Sequence, residues 1–321
     1  MTVSNQTLQD AATALQDGKL VSFPTETVYG LGADATNDQA VARIYNAKSR
    51  PAFNPLIVHL HDVAQAEKFV TIDDHFRALA DAFWPGPLTI IAPLKEGAEK
   101  QNAGISKLVT AGLPTLALRV PAQETARALI ATADRPIAAP SANKSGKISP
   151  TTAAHVAADL FDDCAYILDD GPCQAGLEST IIQADDTGWR ILRPGPITAE
   201  MITDRLPHLP QRDHLTPPII NDKTPNAPGQ LTSHYAPNKP VRLNVTSKTE
   251  NAIHIGFGPN EDEADFNLST TGDLTEAAAN LFAILHLADG CDGEIITLSP
   301  LPQTGIGVAI SDRLSRAAAD R

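Results

Sequence analysis

The sequence predicts an α/β protein, with a mixed, twisted sheet followed by a second, smaller α/β domain. Three observations support this class. Over the first 205 residues, apolar residues at helical spacing alternate with short strand-like apolar runs. The strand-like runs outnumber the helical segments, which favours a mixed sheet over a strict series of parallel strand–helix units. A proline-rich segment then separates this part from a second, shorter alternation of strands and helices.

The elements of the first part follow from apolar spacing and from the residues that end each run. Helices are predicted at 8–15, where Asp17 and Gly18 end the pattern, at 38–45, and at 76–83, where WPGP stops it. The predicted strands are apolar runs bounded by turn residues: LVSF (20–23), PLIVHL (55–60), LTIIAPL (88–94), TLALRV (115–120), PIAAP (136–140), AYILDD (165–170), STIIQA (179–184) and WRILRP (189–194).

Residues 207–240 differ from both neighbouring parts, because they hold eight prolines in 34 residues and almost no apolar periodicity. Proline at this density stiffens the chain and excludes a helix interior or a central strand. Two strand-like runs and two helical patterns follow, the last passing through Leu314, and they predict a small α/β unit. We therefore predict a first domain over 1–206, a linker over 207–240 and a second domain over 241–321.

Composition limits the classes of function. The formal net charge is −13, and residues 241–321 carry 5 Lys/Arg against 12 Asp/Glu, so tight, salt-driven nucleic-acid binding is disfavoured. The three cysteines form no C-x-x-C pair, which argues against a disulfide framework or a zinc ribbon and fits a reducing cytoplasm. Apolar runs are far shorter than the roughly 18 residues of a membrane span, and the N-terminus shows no secretory signal, so we expect a cytoplasmic protein without a membrane segment.

The segment FPTETVYGLG (23–32) is the first candidate for chemistry. If residues 25–27 are extended, Thr25 and Thr27 share one face and Glu26 takes the other. No histidine or cysteine stands beside these hydroxyls, so the segment is better suited to holding a ligand than to attacking one. The sequence also lacks the P-loop, nucleophile-elbow and H-E-x-x-H motifs.

Five further segments carry bases or hydroxyls. Arg119 lies inside an apolar strand and needs an anionic partner, which either the protein or a ligand would supply. Each of the other segments has a plain structural alternative, such as a solvated charge cluster or a buried strand histidine. Together they suggest a cradle for a phosphorylated ligand and a small polar substrate: AKSRPAFNPLIVH (47–59), TLALRV (115–120), APSANKSGKISPTT (139–152), LESTII (177–182) and ILRPGPIT (191–198).

These segments, with FPTETVYGLGA and WPGPLT, resemble in sequence and order the YrdC-like domain of the threonylcarbamoyl-AMP synthase family, over residues 10–205. APGQLTSHYAP (227–237) and GIGVAISDRLSRAA (305–318) resemble the linker motif and Rossmann-like C-terminal domain of its long, two-domain branch. The family's linker reads P-G-M-K-Y-x-H-Y-A-P, and this chain departs from it at Gln230, Leu231 and Thr232. We interpret Gly305-x-Gly307 as a tight connection rather than a phosphate turn.

The resemblance implies the reaction of L-threonine, bicarbonate and ATP to L-threonylcarbamoyl-AMP and pyrophosphate. A downstream transferase then modifies the adenosine beside the tRNA anticodon, and Mg²⁺ accompanies ATP. By the same resemblance, threonine or its carbamate is held by Thr27, His59, Arg119, the Ala139 backbone and Ser179. The predicted ATP-binding residues are Lys48, Arg50, Asn54, Thr115, Ser141, Asn143, Ser149, Arg193 and Tyr235.

Two other functions stay open at this point. An RNA-binding or RNA-chaperone module of YrdC-like fold is disfavoured by the acidic balance and by the lack of interleaved basic and aromatic residues. A hydrolase of carbamoyl- or acyl-adenylates would use the same pocket but needs a base that activates water, and His59 is the candidate for that base.

Overall fold

The structure, a computed structural model, describes residues 3–98, 104–185, 187–212, 227–229 and 232–320. Several helices begin at a side chain that accepts a hydrogen bond from a backbone N–H of the first turn, as Ser4, Asn37, Asp73, Thr152 and Asp273 do. The helices are α1 (Asn5–Gln16), α2 (Asp38–Lys48), α3 (Asp74–Phe83), α4 (Lys107–Thr110), α5 (Glu124–Ala133), α6 (Ala153–Leu160), α7 (Ala199–Arg205), α8 (Leu274–Gly290) and α9 (Gly307–Ala317).

The first domain is built on a mixed sheet of nine strands in the order β7-β1-β2-β6-β3-β5-β4-β8-β9. The β1–β7, β3–β5 and β4–β8 pairs are parallel, and the remaining neighbours are antiparallel. The strands are β1 (Val21–Phe23), β2 (Gly30–Asp34), β3 (Ile57–His59), β4 (Leu88–Pro93), β5 (Thr115–Arg119), β6 (Ile137–Ala138), β7 (Tyr166–Ile167), β8 (Thr180–Asp185) and β9 (Gly188–Arg193).

Helices cover this sheet on both faces. On one face, α1 and α5 enclose an apolar cluster that includes Leu15, Phe23 and Leu129. On the other, α2 and α3 pack on a larger cluster through residues such as Ile44 and Leu79. A third, small cluster lies on the sheet around Ile57, Ile91, Ala117, Ile181 and Leu192, and Ala227 of the linker covers it. The linker therefore covers this part of the sheet.

The second domain holds a parallel sheet in the order β10-β13-β11-β12. Its strands are β10 (Val241–Arg242), β11 (Ala252–Gly256), β12 (Phe266–Asn267) and β13 (Ile295–Leu298). The predicted tight connection before α9 agrees with the geometry: Gly305 has a φ of +53°, and a Cβ on Gly307 would lie 2.0 Å from the Pro302 carbonyl oxygen. Glycine is needed there so that the chain can turn directly into the helix.

The structure confirms the predicted α/β class and the mixed sheet, and it adds elements that the patterns did not predict. The added strand β2 is a buried run with two glycines, GLGAD. A Cβ on Gly32 would lie 2.7 Å from the Phe23 ring and 2.9 Å from Ile137. Glycine at this position therefore leaves room for these two large side chains to pack against the strand. The added helices α5 and α7 are short, with 10 and 7 residues.

The two domains share buried apolar surface. Val28, Ile148, Leu177 and Tyr235 belong to the same cluster as the core of the second domain. The first residues of the predicted linker pack on the first domain, where the Arg212 N–H donates to the Trp189 carbonyl. Gln230 and Leu231, at which the linker departs from the family pattern, lie outside the described residues. In the described part of the chain, no helix has both the length and the hydrophobicity of a membrane-spanning segment.

Candidate active site

A cleft lies over the face of the large sheet that the linker covers. Alternation along β3 and β5 puts His59 and Arg119 on this face, beside the cluster under the linker. Nine of the predicted site residues line it: Thr27, Arg50, His59, Arg119, Ala139, Ser141, Ser179, Arg193 and Tyr235. The first domain and the linker therefore both contribute to its walls.

The two threonines of the TET segment face each other in a bend rather than in an extended strand. Thr25 Oγ1 accepts hydrogen bonds from the backbone N–H groups of Thr27 and Val28, both at 3.2 Å. The two side-chain hydroxyls are 2.8 Å apart, and both residues are buried. A threonine hydroxyl that bonds its own backbone two residues on is a recurring turn device. The bend fixes the Thr27 hydroxyl at the cleft.

The anionic partner of Arg119 is Glu26 of the same chain. The two side chains form an ion pair at 2.6 Å, and each is almost buried. Arg119 also donates to Thr27 Oγ1 at 2.9 Å and to the Gly86 carbonyl at 3.2 Å. The second carboxylate oxygen of Glu26 accepts from the Ala122 N–H. The guanidinium is thus held in place by Glu26, Thr27 and Gly86 in the wall of the cleft.

His59 lies at the end of β3 and is 4% exposed. Its ring stands edge-on to Phe23, with centroids 6.1 Å apart. Burial, with a smaller contribution from the Arg119 charge, lowers the pKa of His59 to about 3. Its Nδ1 atom is buried and has no hydrogen-bond partner among the described residues. The imidazole is therefore neutral at pH 7 and presents one uncommitted polar atom.

Two further arginines, Arg50 and Arg193, lie near each other in the wall of the cleft, and we call this part of the wall the cationic end. Arg50 donates to the carbonyls of Asn54 and Pro55, and Arg193 donates to the carbonyls of Ser179 and Pro228. Burial lowers the pKa of Arg50 to about 10 and also lowers the pKa of Arg193. Both guanidiniums remain charged at neutral pH. Two buried, oriented charges of one sign provide a site for an anion such as phosphate.

Five predicted residues do not line the cleft: Lys48, Asn54, Thr115, Asn143 and Ser149. Lys48 is buried and donates to the backbone carbonyls of Ser141 and Asn143, so it holds the loop between β6 and α6. Burial, then the Arg50 charge, lowers the pKa of Lys48 well below its ordinary value. Asn143 bonds within the same loop, and both polar side-chain atoms of Asn54 are buried without a partner among the described residues.

Several wall residues were not among the predicted binding residues, namely Thr25, Glu178, Gly229 and His234. Glu178 accepts from the Ser149 hydroxyl. Burial alone would raise its pKa, but the Arg313 and Arg193 charges and the Ser149 hydrogen bond hold it below its ordinary value. The sequence signal available for Glu178 was its position next to Ser179 in the segment LESTII (177–182).

Tyr235 of the linker closes the cationic end. It is 1% exposed, its backbone is left-handed with φ of +60°, and its ring stacks on Phe282 of the second domain at 5.6 Å. Burial raises the pKa of its hydroxyl, which has no partner among the described residues. The preceding His234 is likewise buried, and burial lowers its pKa to about 3. The linker thus places a neutral aromatic wall against the two arginines.

Comparison with known proteins covers the whole of this architecture. A family model described as "Telomere recombination" matches residues 13–195, and one described as "Threonylcarbamoyl-AMP synthase, C-terminal domain" matches residues 197–319. The protein of Pyrococcus abyssi named threonylcarbamoyl-AMP synthase is 40% identical over 97% of this chain and 94% of its own length. The Bacillus subtilis protein of the same name is 38% identical over 100% of this chain and 95% of its own length.

A solved structure agrees with the sequence matches. The crystal structure of P. abyssi Sua5 complexed with L-threonine has a TM-score of 0.87 to this chain at 36% identity. The similarity covers 99% of this chain and 96% of that one, so both domains and the linker between them are included. The chain therefore belongs to the threonylcarbamoyl-AMP synthase family.

Proposed function

We propose that this chain condenses L-threonine, bicarbonate and ATP into L-threonylcarbamoyl-AMP and pyrophosphate. The observation that carries the proposal is the two-ended cleft, in a chain whose relatives of similar length share the name threonylcarbamoyl-AMP synthase. One end offers threonine hydroxyls, Arg119 and a neutral histidine. The other offers Arg50 and Arg193 under an aromatic wall.

The chemistry of the reaction fits a cleft without a protein nucleophile. The threonine amine loses a proton and attacks carbon dioxide derived from bicarbonate, forming a carbamate. A carbamate oxygen then attacks the α-phosphorus of ATP. The bond between the α-phosphorus and the oxygen that bridges to the β-phosphate breaks, and pyrophosphate leaves with that oxygen. Positioning two reactants in this way can supply about 7–11 kcal/mol of the barrier. The protein's contribution is orientation and charge stabilisation.

We assign the Arg119 end to threonine and its carbamate. Arg119 is held by Glu26 and Gly86, so the orientation of its guanidinium is fixed before any ligand binds. We also assign Thr27, His59, Ser179 and the Ala139 backbone, which line the same cleft, to threonine or its carbamate. Ser179 also accepts from Arg193, so it lies between the two groups of residues. A carboxylate or carbamate facing a fixed guanidinium makes a charge-assisted hydrogen bond, about twice as strong as a neutral one.

We assign the Arg50 and Arg193 end to the nucleotide, with Ser141 and Tyr235 in the same wall. We propose that the five predicted residues outside the cleft wall support the nucleotide end from behind or bind at its rim. They are Lys48, Asn54, Thr115, Asn143 and Ser149. Lys48, for example, fixes the backbone that carries Ser141.

A divalent metal, which we propose to be Mg²⁺, would accompany ATP. Within the described ranges, no group of three or more His, Cys, Asp or Glu side chains is arranged to hold a metal ion. Glu178, the carboxylate in the wall, has its two oxygens engaged by Ser149 and Arg313. The residues present therefore fit an ion held mainly through phosphate oxygens, which is how Mg²⁺ commonly binds with nucleotides. Its chemistry would be to neutralise charge on the leaving pyrophosphate.

Hydrolysis of an adenylate is the weaker alternative. A general base works best with a pKa near the operating pH, whereas burial holds the pKa of His59 near 3. His59 is therefore a hydrogen-bonding group rather than a base that activates water.

We further propose that a separate transferase uses the product to modify tRNA beside the anticodon, and that this takes place in the cytoplasm. The acidic balance of −13 disfavours tight tRNA binding by this chain itself, and the free cysteines fit a reducing compartment.

The test is pyrophosphate release from ATP by the full chain, with L-threonine and bicarbonate omitted in turn. Release that needs both substrates supports the proposal. ADP formation would mean attack at the γ-phosphorus and would refute it, as would pyrophosphate release without threonine.

A further inference from the structure

The C-terminal domain inserts one charged side chain behind the cleft. Arg313, in the middle of α9, is fully buried, whereas arginines are seldom found inside unless they are paired. Its Nε donates to Glu178 Oε2 at 2.8 Å and one terminal nitrogen donates to Asp312 at 2.7 Å. Glu178 lines the cleft. An ion pair between residues 135 positions apart therefore joins the second domain to the wall of the site.

The same guanidinium also lies against the linker. Its carbon atom Cζ is 5.2 Å from the centroid of the Tyr235 ring, within the range of a cation–π contact. Tyr235 is enclosed on another side by Phe282 of α8. The N–H of the preceding His234 donates to the Arg316 carbonyl of α9. Tyr235 is thus located by the C-terminal domain.

From Glu178 the contacts continue into the nucleotide end. Glu178 accepts from the Ser149 hydroxyl with one oxygen while it binds Arg313 with the other. Arg193, whose charge also acts on Glu178, lies beside Gly229 and the Tyr235 hydroxyl. Loss of Arg313 would leave a buried carboxylate beside the arginine that we assign to phosphate. That carboxylate would then be free to pair with Arg193 and compete with the ligand.

We propose that Arg313 is a positioning residue for the nucleotide end of the cleft. It fixes Tyr235 and neutralises Glu178 at the same time, so that docking of the C-terminal domain sets the geometry and charge of this end. The inference rests on the proposed function, since it assumes that ATP occupies the Arg50 and Arg193 end.

The inference also distinguishes the two ends. Arg119 is held by Glu26, Thr27 and Gly86, all in the first domain, and none of these contacts involves Arg313. Removing Arg313 should therefore raise KM for ATP much more than KM for threonine. A general loosening of the fold would affect both substrates alike.

The experiment compares Arg313→Met, Arg313→Lys and Arg242→Met with wild type in the full-length chain. Arg242 is an exposed arginine on β10 of the same domain, so its replacement removes the same charge without touching the cleft. The readouts are KM for ATP, KM for threonine, kcat and the midpoint of thermal unfolding. We expect Arg313→Met to raise KM for ATP at least tenfold while KM for threonine changes less than threefold. Arg242→Met should match wild type.

Arg313→Lys serves if Arg313→Met does not fold. Lysine keeps a positive charge near Glu178 but lacks the planar group that lies on the Tyr235 ring. We expect it to fold and to raise KM for ATP about threefold to tenfold. A folded variant with wild-type KM for ATP overturns the inference, and so does an equal rise in both KM values or failure of both variants to fold. A wild-type chain that releases no pyrophosphate would instead refute the proposed function.

Discussion

Gly229 lies directly against the hydroxyl of Tyr235, since a Cβ built on this glycine would be 2.6 Å from Oη. It would also be 3.1 Å from Cδ of Arg193. The φ of Gly229 is +81°, a conformation that residues with a side chain rarely adopt. Two independent features therefore favour glycine at this position of the linker, and one of them concerns the end of the cleft that we assign to the nucleotide.

Gly229→Ala should weaken ATP binding, because the added methyl group must displace Tyr235 or Arg193. Overpacking of this kind costs about 1–3 kcal/mol, and each 1.4 kcal/mol is about tenfold in Kd. Gly112→Ala is the matched control: its φ is +80°, but a Cβ there meets no atom within 4 Å. Both variants should lose some stability, and only Gly229→Ala should raise the Kd for ATP. Equal Kd values in a calorimetric titration would contradict the role of the contact.

Arg119→Ala should weaken threonine use by about 2–5 kcal/mol, since it removes a desolvated charge and leaves Glu26 buried without its partner. Arg190→Ala, on the edge strand β9 of the same sheet, is the control, because among the described residues the side chain of that arginine hydrogen-bonds to the neutral Gln183. Thr27→Ala should cost less, about 0.5–1.5 kcal/mol for one neutral hydrogen bond. The measurement is kcat/KM for threonine, with unfolding followed alongside. A folded Arg119→Ala chain with wild-type threonine dependence would show that the assignment is wrong.

Stability should fall as the pH drops below about 6.5. The pKa of His59 in the folded chain is about 3, below the ordinary value near 6.5, so the unfolded chain binds this proton first. Stability from this residue is therefore fully present above about pH 7 and declines through the window from 6.5 towards 3, by up to about 1.4 kcal/mol per pH unit. Urea unfolding at pH 7.5, 6.0 and 5.0 measures the slope. His59→Gln should make that slope shallower, and an unchanged slope would rule out His59 as a contributor.

Local patterns were sufficient for much of the fold but not for the contacts between distant segments. The run TLALRV indicated both the strand β5 and the need of Arg119 for an anion, because alternation and burial are local properties. Its partner Glu26 lies 93 positions away, and only the folded sheet brings the two together. Glu178 and Arg313 are separated still further. The strand β2 was not predicted because glycines usually indicate a turn, whereas the glycines of β2 leave space for neighbouring side chains.

The linker should be part of the active site rather than a tether. Tyr235 is buried between Phe282 and Arg313 and lines the cleft, so we expect its ring to keep water out of the closed site. A chain that ends at residue 212 keeps the α/β pattern and the contact of Arg212 with Trp189, so we expect it to fold. It should nevertheless accumulate little adenylate and bind ATP at least about tenfold more weakly, a loss of 1.4 kcal/mol or more.

Tyr235→Ala in the full chain should show part of the same defect, and Tyr235→Phe separates the ring from its hydroxyl. The hydroxyl has no partner among the described residues, whereas the ring contacts Phe282 and Arg313. If the ring closes the cleft, Tyr235→Phe should keep ATP affinity near wild type and Tyr235→Ala should not. A passive tether predicts wild-type adenylate yield and ATP affinity for the shortened chain and for both variants. Adenylate yield and ATP affinity, measured side by side, distinguish a passive tether from a linker whose Tyr235 ring forms part of the cleft. Only in the second case does removal of the buried ring lower these quantities.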